Sequence, residues 1–107
     1  MSIDGFCAVL TAFQTAQKVP FRHYTYTDPV LAPCIAWYEM DGESAHADGI
    51  NAYDEVYVRV ELYVTPEDVT TAPAFEAALT ENGLSYERDR AWVDERGEVM
   101  MIYDITL

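Results

Sequence analysis

Two histidines, two cysteines and nineteen acids are the residues of this 107-residue chain whose types could do chemistry. Asp41, Glu43, His46 and Asp48 are close neighbours in the chain. Carboxylate oxygens with one imidazole would suit a hard or borderline divalent ion. Their spacing, however, matches neither an EF-hand loop nor a zinc motif. Acids among small residues between two strands are ordinarily solvated, so the reading is a polar loop and no metal site. His23 lies among Arg22, Tyr24 and Tyr26. A general base needs a partner within hydrogen-bond reach, and none is identified in the sequence, so His23 reads as a sheet-edge histidine. Asp54/Glu55 and Asp94/Glu95 are neighbours in sequence, whereas paired catalytic carboxylates must converge across a cleft and adjacent strand residues point to opposite faces.

Cys7 and Cys34 are far apart and in no metal spacing. In a reducing compartment they are expected to be buried thiols and not a disulfide. No Walker loop, GxGxxG, HExxH or GxSxG motif is present. The expectation is therefore a non-enzyme with no catalytic residue, no cofactor and no metal.

The elements that would hold these side chains follow from periodicity. Residues 2–18 read as an amphipathic helix. Ile3, Phe6, Cys7, Leu10, Phe13 and Gln17 form its stripe, Ser2 its N-cap, and Pro20 its stop. Phe21 to Tyr26 is a short strand or extended edge. Cys34 to Met40 is an apolar strand ending at Asp41-Gly42, before a polar loop that reaches about Ala52. Across 53–65, Val56, Val58, Val60, Leu62 and Val64 alternate with Tyr57, Arg59, Glu61 and Tyr63. That period of two gives one dry face and one amphipathic face. A second helix spans 72–82, with Thr71 as cap, Phe75, Ala78, Leu79 and Asn82 inward, and Gly83 at the left-handed C′ position.

Strands 84–93 and 98–106 form the last hairpin, turning at Asp94-Glu95-Arg96-Gly97. Val99 to Tyr103 is apolar on both faces, as in a central strand, and Glu87 to Arg90 is charged on both faces, as in an edge strand. The architecture expected is one α+β domain over 1–107, a two-layer sandwich. Its four-stranded, mainly antiparallel sheet has the order 34–40, 53–65, 98–106, 84–93, and both helices cover one face.

Nineteen acids oppose six bases, a formal net charge of −13, and Lys18 is the single lysine. Neutralising phosphates takes clustered Lys and Arg, so nucleic-acid binding is disfavoured, and an anionic membrane would be repelled. No apolar run approaches the ~20 residues of a spanning helix, and Met1 to Gly5 lacks a basic signal region, so the expected place is the cytosol. Tyr53, Tyr57 and Tyr63 share a strand face with Arg59 and Glu61. This ladder reads either as a cover for the sheet or as a protein interface, because tyrosine combines an apolar body with a polar tip.

The run Tyr57-Val58-Arg59-Val60-Glu61-Leu62-Tyr63-Val64-Thr65, a helix bearing Phe75-Glu76 and Leu79, then Gly83-Leu84, Tyr86-Glu87-Arg88, Trp92-Val93 and a strand through Tyr103 form an ordered pattern. Over residues 34–107 it resembles the tail-completion proteins of tailed phages and prophages, of the tail terminator kind. The resemblance implies a homo-oligomeric ring, usually six-fold, that caps the tail tube and meets head-completion proteins in the virion. It carries over no catalytic residue. Under it, Tyr53, Tyr57, Arg59, Tyr63, Glu87, Arg88 and Arg90 are candidates for subunit contacts. The loop acids Asp41, Glu43 and Asp48 are candidates for a lumen through which DNA passes without sticking. Two other readings are an acidic DNA mimic that inhibits a host enzyme and a small metal-binding protein or enzyme.

Overall fold

The computed structural model describes residues 1–24, 30–40, 56–93 and 95–107. The metal-like loop with Asp41, Glu43, His46 and Asp48, the tyrosine Tyr53, the acids Asp54, Glu55 and Asp94, and Tyr26 lie outside the described residues.

Helix α1 is Ile3–Gln17. The Ser2 hydroxyl accepts the Gly5 N–H at 3.0 Å, as its N-cap position predicts. Phe6, Val9, Leu10 and Phe13 are its buried residues. Gln17 is exposed, so the inward stripe ends at Phe13, and Val9 joins it. The helix closes on Lys18 in the left-handed conformation, whose N–H bonds the Gln14 carbonyl at 2.8 Å. The stop thus comes two residues before Pro20.

Strands β1 (Phe21–His23), β2 (Cys34–Met40) and β3 (Tyr57–Val64) precede helix α2 (Thr71–Glu81), and β4 (Ser85–Val93) and β5 (Glu98–Thr106) close the chain. Thr71 is not the cap of α2. It is the first helical residue, and Asp68 does the capping, with Oδ1 accepting the Thr70 and Thr71 N–H groups at 3.0 Å and Oδ2 the Thr71 hydroxyl at 2.6 Å. Phe75 and Leu79 are buried as expected, while Asn82 is exposed and returns its amide to the Ala78 carbonyl. Gly83 has φ +71°, and this lets Leu84 N–H reach the Leu79 carbonyl at 2.9 Å.

The sheet order is β1-β2-β3-β5-β4. The four predicted strands stand in the predicted order and pair antiparallel. The expected four-stranded sheet is nevertheless a five-stranded mixed one, because Phe21–His23 adds a strand parallel to β2. Ile35 N–H donates to the Pro20 carbonyl and Tyr24 N–H to the Trp37 carbonyl, which fixes that pairing. A three-residue strand is too short to display a period, so its partner was not readable.

Residues of β3 alternate buried and half-buried along its whole length. Val58, Val60, Leu62 and Val64 face Phe6, Leu10, Phe13, Phe75 and Leu79 in one core cluster, so both helices cover the valine face. Edge-to-face rings bind the layers. Phe6 meets Trp37 at 5.6 Å, Phe13 meets Phe75 at 5.2 Å, and Phe75 meets Tyr103 at 5.1 Å between centroids.

Burial alone would raise the Asp68 carboxyl, but the hydrogen bonds from Thr71 and Thr70 outweigh it and hold Asp68 below the usual carboxylate range. An acid depressed in the folded state adds stability that is present above its unfolded pKa, about 3.9, and lost as pH falls through the folded value. Asp68→Ala is expected to destabilise the fold by about 0.5–2 kcal/mol at neutral pH. Urea unfolding at pH 7 and pH 3 should show the gap from wild type narrowing at the lower pH.

Candidate interaction surface

The face of the sheet opposite the helices carries four cross-strand rows, readable from the registers. Met40, Tyr57, Thr106 and Ser85 form the first, Tyr38, Arg59, Asp104 and Glu87 the second. Ala36, Glu61, Ile102 and Asp89 follow, then Cys34, Tyr63, Met100 and Ala91. No helix lies over this face among the described residues.

One ion pair stands at the middle of this face. Arg59 grips Asp104 with both prongs, Nε to Oδ1 at 2.7 Å and Nη2 to Oδ2 at 3.0 Å. The Asp104 hydrogen bond holds the guanidinium firmly protonated, above its already high ordinary value. Both side chains are 36% exposed, so screening limits what the pair adds to stability. Glu61 accepts the Tyr63 hydroxyl at 3.0 Å and, more loosely, the Tyr38 hydroxyl at 3.5 Å. Burial, followed by the Glu61 charge, pushes the Tyr63 phenol well above its normal range, so Tyr63 stays neutral and donates.

At the β4–β5 turn, Gly97 takes φ +62°, as the turn requires. Arg96 reaches back from this turn to three partners. Its guanidinium lies 5.5 Å from the Tyr63 ring centre, pairs with Glu98 at 2.9 Å, and donates to the Val30 carbonyl. The Arg96–Glu98 contact is close, yet Glu98 Oε1 gains no well-aligned hydrogen bond, so the attraction there is Coulombic. Cys34 is buried beside this cluster, and burial pushes its thiol up. Cys7 is likewise raised by burial. Neither is a thiolate nucleophile at neutral pH.

Beneath the other face, Glu76 of α2 gathers donors from two strands. The fully buried Tyr103 gives its hydroxyl at 2.8 Å, Arg88 contacts both carboxylate oxygens at 3.0 Å, and Tyr86 adds a weak bond at 3.4 Å. Burial, then Glu76, drives the Tyr103 phenol far above its ordinary pKa. A carboxylate so fully engaged is an anchor for the helix and not a free base.

His23 meets Glu39 at 2.7 Å, and its ring lies between Tyr24 at 4.2 Å and Trp37 at 4.5 Å. The His23 hydrogen bond lowers the Glu39 pKa. The histidine that sequence left without a partner therefore has one, in an exposed pair at the sheet edge. Among the described residues no three His, Cys, Asp or Glu side chains are grouped to hold a metal.

Tyr57, Arg59, Tyr63 and Glu87 thus share the uncovered face, whereas Arg88 and Arg90 stand on the helix side of β4, with Arg88 committed to Glu76. Tyr57, Glu87 and Asp104 also border a groove of about 510 Å³ with Met40, Tyr86 and Thr106. Sequence reasoning missed Asp104, Tyr38, Arg96 and Glu76. Asp104 had a signal, since the predicted strand order already made 98–106 the neighbour of the strand bearing Arg59.

Tyr103→Phe removes one of several donors to Glu76 and is expected to cost about 0.5–1.5 kcal/mol. Glu76→Leu leaves the buried Tyr103 hydroxyl without an acceptor and should cost more, about 1–3 kcal/mol. Denaturant midpoints of the two variants check that order.

No protein-family model matches the chain, and neither a curated protein nor a solved structure matches it.

Proposed function

We propose that the protein is a non-enzymatic assembly subunit, whose copies associate with one another and with partner proteins through the sheet. The observation that carries this reading is the sheet face over which no helix lies among the described residues. It presents tyrosines, methionines and Ile102 around the Arg59–Asp104 pair, and aromatic residues and Met are enriched in protein interfaces. Arg59 and Asp104 already neutralise each other, so a partner can cover that pair without leaving either charge alone in a dry contact, while Glu61 keeps the Tyr63 hydroxyl as a donor.

The resemblance to phage tail terminators supplies the specific form of the proposal. Copies close into a ring at the head-proximal end of a tail, docking on the tail tube and on head-completion proteins. The net charge of −13 fits such a role, because a negative lumen repels passing DNA and lets it slide. Assembly would take place in the bacterial host cytoplasm, with the virion tail as the final location.

Size-exclusion chromatography with light scattering tests self-association. The expected particle is a multiple of the 12.1 kDa chain, growing with protein concentration. Tyr57→Ala should reduce the assembled fraction while leaving the far-ultraviolet spectrum unchanged. A wild-type chain that stays monomeric up to millimolar concentration would overturn the reading.

A further inference from the structure

The two ends of the sheet differ in charge and in which backbone groups they present. β4 closes one end and β1 the other. On β4 the uncovered face carries Glu87 and Asp89, and the helix side carries Arg88 and Arg90. Each face of this edge therefore has charges of a single sign.

That arrangement opposes the common way two edges join, an antiparallel pairing of β4 with β4 about a twofold axis. Opposed residues then lie on the same face. Centring the axis on Arg88 sets Arg88 against Arg88 and Glu87 against Asp89. Centring it on Asp89 sets Asp89 against Asp89 and Arg88 against Arg90. Like charges directly opposite destabilise a strand pair. Such a charged edge is also the ordinary protection against aggregation.

β1 presents the complement. Arg22 lies on the uncovered face, opposite Ala36, and Phe21 and His23 lie on the helix side. Arg22 is exposed, and among the described residues it forms no ion pair. Glu87 is likewise exposed and unpaired.

The main-chain groups agree. Pro20 and Tyr24 bond toward β2, so by alternation the N–H and C=O of Phe21 and His23 point outward. Following the alternation through the registers to the far edge, the outward groups of β4 belong to Tyr86, Arg88, Arg90 and Trp92. Asp89 Oδ1 takes the Arg90 N–H at 2.7 Å, which leaves the Tyr86–Arg88 stretch as the open part of that edge.

We propose that β1 of one copy pairs antiparallel with β4 of the next, with Arg22 opposite Glu87. Phe21 and His23 then exchange main-chain hydrogen bonds with Arg88 and Tyr86. Side-chain face, backbone direction and charge are all matched in this one register, and Asp89 lies diagonal to Arg22. The contact is heterologous, so repeating it gives a ring or an open filament. It rests on the self-association reading and names the edges that would carry it.

Charge reversal tests the pairing. Arg22→Glu and Glu87→Arg are each expected to weaken self-association roughly fivefold to tenfold, and the double variant to recover most of the loss. Sedimentation velocity at moderate ionic strength, where the general repulsion between acidic copies is screened, reads the constants, and thermal melts confirm that these exposed changes leave the fold intact. In addition, Arg22→Cys mixed with Glu87→Cys should give a covalent dimer under mild oxidation that neither variant gives alone, because the two positions form a non-hydrogen-bonded pair with close Cβ atoms. If wild type assembles but single reversals leave it unchanged, or the double variant is no better than either single, the edge pairing is wrong and the self-association reading stands. A monomeric wild type would remove both.

Discussion

The hydroxyl of Tyr103, buried at the centre of the sheet, donates to Glu76 on α2, and the layering of the molecule depends on that contact. Tyr103 sits on β5 between β3 and β4, directly opposite Val60 and Arg88. Its ring packs edge-on against Phe75, and Phe75 in turn against Phe13 of α1. One side chain thus joins a central strand to both helices. The polar tip matters as much as the ring, since a buried hydroxyl without an acceptor costs more than the bond itself contributes. With Glu76 held by Tyr103 and Arg88, α2 cannot rotate about its axis without breaking both contacts. The helix layer is therefore committed to the valine face, and among the described residues no helix lies over the tyrosine face.

That commitment shapes what the remaining charges can do. Glu39, Glu76, Glu98 and Asp104 each have a cationic or histidine partner, but acids outnumber bases more than three to one. Among the described residues most carboxylates form no ion pair, and the excess acids repel one another over about a Debye length, some 10 Å at 0.1 M salt. Copies of such a chain repel on approach, so stable association needs short-range contacts that overcome this. Aromatic area and main-chain hydrogen bonds supply such contacts, because neither weakens as the net charge grows. Salt should help assembly by screening the general repulsion even as it weakens a local Arg–Glu pair, and those opposed effects distinguish edge charges from overall charge.

Much of this architecture was legible in the residues themselves. The alternation in β3, the double-sided apolarity of β5 and the double-sided charge of β4 predicted strand order and exposure, because burial on zero, one or two faces leaves different periodic marks. Thr71 as cap failed for a related reason. Asp68 lies three residues before the helix and reaches it only through the turn of the intervening backbone, so a rule that looks for the cap beside the first periodic residue passes over it. β1 was read as a short strand or extended edge over 21–26, but its parallel pairing with β2 was not readable, because three residues hold no full period. Glu76 looked like any exposed helix acid. What makes it central is the meeting of Tyr103, Arg88 and Tyr86 from two other strands, and no spacing along one helix reveals that.

The five arginines and one lysine fit the same logic. Arg59 uses two prongs on one carboxylate, Arg88 touches both oxygens of Glu76, and Arg96 divides its guanidinium among a ring, a carboxylate and a carbonyl. A planar fork with several fixed donors can make each of these arrangements, whereas an ammonium offers a compact, strongly hydrated charge. With so few cations available, each must do more than balance charge, and three of them tie one structural element to another. The single lysine stands at the end of α1, where the left-handed turn, not its charge, closes the helix. Arg22 and Arg90 are the arginines whose guanidinium groups form no described ion pair, and they lie on opposite edge strands of the sheet. In a chain that uses its cations as connectors, those two positions are where a connection to another molecule is physically simplest.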